Sequence, residues 1–238
     1  MEHPYGALKE RNVKKRGYLA KQRTKIFERV GQMTEEHVFF KAGEVKIEGL
    51  VNHAVGHKAV VITHPHPLYG GDMNNNVVES VDLAYREKGY TTLRFNFRGV
   101  GQSEGSFDKG TGEQADVRAA LSYLGELGKS SIDLAGYSFG AWVNALGLKG
   151  FDRVNRVMMV SPPVNFTDFS FLDYNAKIQL VIAGSEDDIA PPGMIKGMLP
   201  SWNPEAQLKI IQGANHFYGG KTHEIIKIIQ GFLDMQDK

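Results

Sequence analysis

From Glu35 onward, short β-branched and aromatic runs alternate with segments of helical spacing. His37–Lys41 and Glu44–Asn52 flank an Ala-Gly turn and predict an antiparallel hairpin at a sheet edge. Lys58–His64 is a β-branched run that stops in a Pro-rich loop. Asn74–Lys88 sets Val77, Val81, Leu83, Ala84 and Tyr85 at helical spacing and ends at Gly89. Tyr90–Phe97 predicts a strand, Gly99–Gly112 a Gly-rich loop, and Glu113–Leu127 a helix with Ala120, Leu121 and Leu124 on one face. Strands at Ser131–Ala135, Val154–Val160, Ile178–Ala183 and Gln207–Ile211 follow, with helices at Ser138–Leu148, Pro192–Met198 and Thr222–Met235. This alternation predicts one mainly parallel sheet covered by helices on both faces, with function outside the carboxyl ends of its strands.

The chain has 238 residues, the size of one α/β domain. Cysteine is absent, which excludes disulfides, thiolate metal sites and a cysteine nucleophile and fits a reducing compartment. The apolar runs are too short to span a bilayer, and the N-terminus has no apolar secretory core, so the expected location is cytoplasmic. Net charge is +1 but unevenly spread. Residues 1–32 hold nine Lys/Arg and three Glu, a balance of +6, against −5 for the remainder. The expected division is therefore a basic extension over 1–33, a tail or a packing arm, and an α/β domain over 34–238. Because the rest of the chain is acidic, nucleic acid is not an expected partner.

The chemistry begins with Gly136-Tyr137-Ser138-Phe139-Gly140, a G-x-S-x-G pattern between a predicted strand and a predicted helix. The glycines permit a sharp turn that lifts the serine hydroxyl above the sheet. A serine hydroxyl needs a base, so an acid and then a histidine should follow at the ends of later strands. Ile178–Ala183 runs into Gly184-Ser185-Glu186-Asp187-Asp188, and Gln207–Ile211 runs into Gly213-Ala214-Asn215-His216. His216 is the expected base. Asp187, third after the turn glycine, is the first choice for the orienting acid, with Asp188 and then Glu186 as alternatives. The expected oxyanion donors are the backbone N–H groups of Phe139 and His66, with Leu68 second to His66. Pro65 and Pro67 have no N–H to give.

Two other patterns compete and lose. His64-x-His66 has metal-ligand spacing, but no ligand cluster accompanies it, so no metal is expected. Gly99-Val100-Gly101 through Gly105 follows a strand, but the third glycine comes one residue late for a dinucleotide loop and no helix starts there. No cofactor is expected, and Arg98 reads as an anchor for loop carbonyls near the site. The connection from Ser161 to Tyr174 is too short for a helical lid. Its Phe166, Phe169 and Phe171 either line a pocket opposite Tyr69 or close the top of the core. An open, partly aromatic site suits a small acyl substrate.

Taken together, HPHPLYGGDMNNN at 64–76, TTLRFNFRGVGQSEGSFD at 91–108, AGYSFGAW at 135–142, DFSFL at 168–172 and GANHFYGGK at 213–221 resemble the α/β-hydrolase superfamily. The likeness is to its small, lidless bacterial members related to dienelactone hydrolases and serine aminopeptidases. It implies the α/β-hydrolase fold with little or no lid, hydrolase chemistry, and Ser138, Asp187 and His216 as the triad. Dienelactone hydrolases proper use a cysteine where this chain has Ser138, so their activity does not carry over. Such proteins usually begin near Met33. The expected activity is that of a carboxylesterase cleaving a small ester or thioester. An aminopeptidase or amidase on the same triad, or an idle hydrolase fold used for binding, are the alternatives.

Overall fold

In the strands, alternate side chains feed two separate apolar layers, which is why their sequences read as continuous hydrophobic runs. Ala59, Val61, Ile132, Leu134, Val157 and Met159 enter one layer, while Val60, Ile62, Ala135, Tyr137, Met158 and Val160 enter the other. The computed structural model describes residues 35–236, and the predicted extension over 1–33 lies outside the described residues.

The strands are β1 (Glu36–Ala42), β2 (Val45–Asn52), β3 (Lys58–Thr63), β4 (Thr91–Phe95), β5 (Ser131–Tyr137), β6 (Val154–Val160), β7 (Ile178–Gly184) and β8 (Gln207–Ile211). They form one eight-stranded sheet in the order β1-β2-β4-β3-β5-β6-β7-β8. β1–β2 and β2–β4 are antiparallel and all other pairs are parallel. The helices are α1 (Asn76–Arg86), α2 (Thr111–Glu126), α3 (Phe139–Gly147), α4 (Pro192–Trp202) and α5 (Thr222–Gln236). Buried side chains of α2, α3 and α4 pack into one layer and those of α1 and α5 into the other.

The helix ends follow local chemistry. Asn75 caps α1 by accepting from the Val77 N–H, and α1 then buries Val77, Val81, Ala84 and Tyr85 while Leu83 faces outward. α4 runs past its predicted end at Met198, through Pro200, to Trp202. Pro200 removes one helical N–H, but burial of Leu199 and Trp202 carries the segment through it.

From β3 the chain turns to β4 on one side, whereas β5, on the other side of β3, leads away to β6. The crevice between the carboxyl ends of β3 and β5 is therefore the switch point at which open α/β sheets bind ligands. Between β6 and β7 the chain holds only turns, with no inserted helix.

Candidate active site

Ser138 sits between β5 and α3 with φ 53° and ψ −119°, a backbone conformation that side-chain-bearing residues rarely adopt. Its neighbours explain the glycines. A Cβ at Gly136 would lie 2.5 Å from Asn144 Nδ2 and 2.7 Å from the Ala141 nitrogen, and one at Gly140 would lie 2.6 Å from the Thr63 carbonyl oxygen. The turn can close only if both positions lack a side chain.

Nε2 of His216, in the loop after β8, lies 2.9 Å from Ser138 Oγ. Its Nδ1 lies 2.9 Å from each carboxylate oxygen of Asp187, in the loop after β7. Asp187 is buried and Asp188 exposed; the Asp188 carbonyl accepts from Asn165 Nδ2. Burial pushes the Asp187 carboxyl upward, but hydrogen bonds from His216, Ser161 and the Ala190 N–H outweigh it and hold the carboxyl below its usual range. Oδ1 accepts from the Ile189 and Ala190 N–H groups at 3.0 and 2.8 Å, and Oδ2 accepts from Ser161 Oγ at 2.6 Å. The Tyr137 hydroxyl donates to the His216 carbonyl at 2.7 Å, which ties the loop after β8 to the strand that carries Ser138.

After β3, His64 is fully buried and spends both ring nitrogens. Nδ1–H donates to the Pro65 carbonyl at 2.7 Å, and Nε2 accepts from the Phe97 N–H at 3.0 Å. Burial, with a smaller effect of His66, lowers its pKa to about 4, so the ring is neutral, and the Phe97 N–H already occupies its one lone pair in the ring plane. Downstream, the His66 Nδ1 accepts from the Leu68 N–H at 3.2 Å, heading a 3₁₀ turn over Pro67–Tyr69. That bond occupies Leu68, the second-choice oxyanion donor. Among the described residues the N–H groups of Phe139 and His66 have no acceptor. Phe139 also opens α3, so its N–H sits at the positive end of that helix.

These loops border a cavity of about 460 Å³ reaching Ser138 and His216. His66, Tyr69, Tyr137, Phe139, Phe166, Phe217 and Ile189 line it, together with Asn75 and Thr167, and among the described residues no Asp, Glu, Lys or Arg takes part. Tyr69, Phe166 and Phe217 are exposed at its mouth. The predicted lining needs correction at two positions. Phe169 is 2% exposed and packs on Trp202 with ring centroids 5.3 Å apart, so it belongs to the core, and the half-buried Phe171 stacks on it at 6.1 Å and packs against that core. Arg98 also departs from expectation. Its guanidinium grips the Asp116 carboxylate on α2, at 2.7 Å for the closest pair, rather than loop carbonyls.

Sequence reading missed Ser161, Tyr218 and Tyr137, whose hydroxyls support the loops from behind, and Phe217 and Ile189 in the cavity wall. The only trace of the first two was position: one follows β6 directly and the other lies two residues beyond His216.

The fold and site have counterparts among known proteins. The chain is 37% identical over 208 residues to an uncharacterised protein of Rickettsia prowazekii, covering 82% of this chain and 87% of the relative. A solved α/β serine hydrolase homologue from Coxiella burnetii is 33% identical with a TM-score of 0.77, covering 83% of this chain and 97% of that one. An α/β serine hydrolase without a lid from Xanthomonas campestris is 30% identical with a TM-score of 0.78, covering 85% and 94%. No protein-family model matches the chain. The chain belongs to the α/β-hydrolase superfamily. Within it, the chain sits with the lidless serine hydrolase homologues, in keeping with the helix-free β6–β7 connection. Among the described residues no helix is long and apolar enough to cross a membrane.

Proposed function

We propose that the protein is a serine esterase acting on small, uncharged esters or thioesters, with Ser138 as nucleophile, His216 as base and Asp187 as the orienting acid. The observation that carries this reading is the continuous hydrogen-bonded line from Ser138 Oγ through the His216 ring to the Asp187 carboxylate, each link 2.9 Å. Ser138 Oγ attacks the carbonyl carbon while its proton passes to His216 Nε2. The carbonyl π pair moves to oxygen, and the resulting oxyanion accepts from the Phe139 and His66 N–H groups. On collapse the bond to the leaving group breaks, and the leaving oxygen or sulfur takes the proton from Nε2. A water then repeats the sequence on the acyl-serine, releasing the carboxylic acid and restoring the Ser138 hydroxyl. Asp187 holds the imidazole in the tautomer that needs its proton on Nδ1 and stabilises the imidazolium.

The cavity wall favours an ester over a peptide N-terminus. An aminopeptidase has to pair its substrate's free ammonium, and a buried cation without a partner is costly. Among the described residues no carboxylate lines this cavity, and its aromatic mouth suits apolar acyl or alcohol groups. The purified protein is therefore expected to hydrolyse p-nitrophenyl acetate and butyrate and to leave alanine p-nitroanilide intact. Cleavage of the anilide with the esters untouched would overturn the assignment.

A further inference from the structure

Behind the acid lies a chain of hydroxyls that the reaction itself does not use. We infer that Ser161 and Tyr218 are positioning residues that lock the Asp187 carboxylate in the orientation His216 requires. The inference rests on Asp187 being the acid of the proposed triad.

Hydrogen-bond counting gives the chain a direction. Ser161 Oγ lies 2.6 Å from Asp187 Oδ2 and 2.7 Å from the Tyr218 hydroxyl. An ionised carboxylate can only accept, so the single Ser161 proton goes to Asp187. The Tyr218 O–H must then donate to Ser161 Oγ. The Gly184 backbone amide faces the phenol in turn. Burial above all, with the Asp187 charge adding to it, pushes the phenol far above its ordinary pKa, so the donor keeps its proton. The Ile189 and Ala190 amides hold Oδ1, and Ser161 is the hydroxyl that holds Oδ2. Without it, Oδ2 keeps only its contact with the His216 ring, the group whose orientation it has to set.

The backbone gives a second, independent observation. Ser161 has φ 45° and Tyr218 φ 53°, beside 53° for Ser138. Among the described residues Lys109 is the only other non-glycine residue with positive φ. Such conformations cost on the order of 1–3 kcal/mol each and persist where surrounding structure fixes them. Here they sit at the ends of β5 and β6 and in the loop after β8, the three places that must turn a hydroxyl or a ring toward the triad. Both Ser161 and Tyr218 are fully buried and neither lines the cavity. Ser161 bonds the proposed acid directly, and Tyr218 bonds Ser161.

Ser161→Ala and Tyr218→Phe each remove one hydroxyl and no carbon skeleton. Steady-state kinetics on p-nitrophenyl butyrate are expected to show kcat lowered about ten- to a hundredfold for Ser161→Ala and less for Tyr218→Phe, a loss in the range that displaced catalytic groups produce. KM should stay within about twofold, and the acidic limb of the kcat/KM–pH profile should be displaced. The double variant should lose no more than Ser161→Ala alone, because the two hydroxyls act in series. The inference fails if kcat and the pH limb of both variants match the parent. It also fails if the lost activity of both is matched by a lost folded fraction in circular dichroism. Ser138→Ala, assayed alongside, separates the two levels: a dead Ser138→Ala with unaffected Ser161 and Tyr218 variants sinks only this inference, whereas an active Ser138→Ala sinks the triad.

Discussion

His216 Nε2 lies 2.9 Å from Ser138 Oγ although 78 positions separate the two residues in the chain. The sheet creates that proximity. β5 and β8 run parallel with β6 and β7 between them, so the loops after β5, β7 and β8 all emerge on one edge. The elbow at Ser138 lifts the hydroxyl toward this edge, and the Tyr137 hydroxyl fastens the backbone of His216 to the same strand. The proposed nucleophile, base and acid are thus positioned by rigid elements, which makes small substitutions informative.

Adjacent carboxylates should behave very differently. Asp187→Asn keeps the shape but leaves the imidazole in the wrong tautomer, and kcat is expected to fall by about 10³–10⁴. Asp188 is exposed and off the line to His216, so Asp188→Asn should stay within about twofold of the parent. Comparable losses in both variants, measured on one ester, would refute the choice of Asp187.

The phenylalanines of the β6–β7 connection should separate into two effects. Phe166 stands exposed in the cavity wall, so Phe166→Ala is expected to raise KM for butyrate and longer esters several-fold while leaving thermal stability nearly unchanged. Phe169 is buried against Trp202, so Phe169→Ala should cost about 3–5 kcal/mol of stability in urea unfolding. The reverse pattern would contradict the assignment of one to the cavity and the other to the core.

His64 should make the fold sensitive to mild acid. Its imidazole titrates near 6.5 when unfolded, and burial lowers this to about 4 in the folded chain. Between those values the unfolded chain binds the extra proton, so stability is lost as pH falls from about 6.5 toward 4, by roughly 3 kcal/mol at most. Urea unfolding across this range should show a steeper decline for the parent than for His64→Gln. Parallel profiles would show that His64 does not carry the dependence.

At the elbow, a single methyl group should be disruptive. A Cβ at Gly140 meets both the Thr63 carbonyl oxygen and its Oγ1 at 2.6 Å. Gly140→Ala is expected to cost about 1–3 kcal/mol through overpacking and to lower esterase activity at least tenfold by moving α3 away from β3. A variant with the parent's melting temperature and activity would mean that the turn tolerates the side chain.

Most of the framework was legible because it depends on local signals. The runs Val154–Val160 and Gln207–Ile211 appear as strands with the bounds the sequence suggested, and the glycines around Ser138 announced the elbow. The mainly parallel character of the sheet, though not its strand order, followed from alternation. The misread residues are those whose role depends on side chains distant in sequence. Phe166, Phe169 and Phe171 look alike in a turn-rich segment, and only Trp202, from α4, draws Phe169 into the core, with Phe171 stacked on it. Arg98 gave no hint of Asp116, and Ser161 and Tyr218 form no motif at all. α4 outran its proline because buried Leu199 and Trp202 outweigh one lost hydrogen bond.

Whether Ser138 is an activated nucleophile is decided by exposing the purified protein to a fluorophosphonate probe and locating the adduct by mass spectrometry. One adduct per chain is expected, on the peptide containing Ser138, and none on the Ser138→Ala variant under the same conditions. Folded parent protein that takes up no probe, or a Ser138→Ala variant that is labelled as readily, would contradict it.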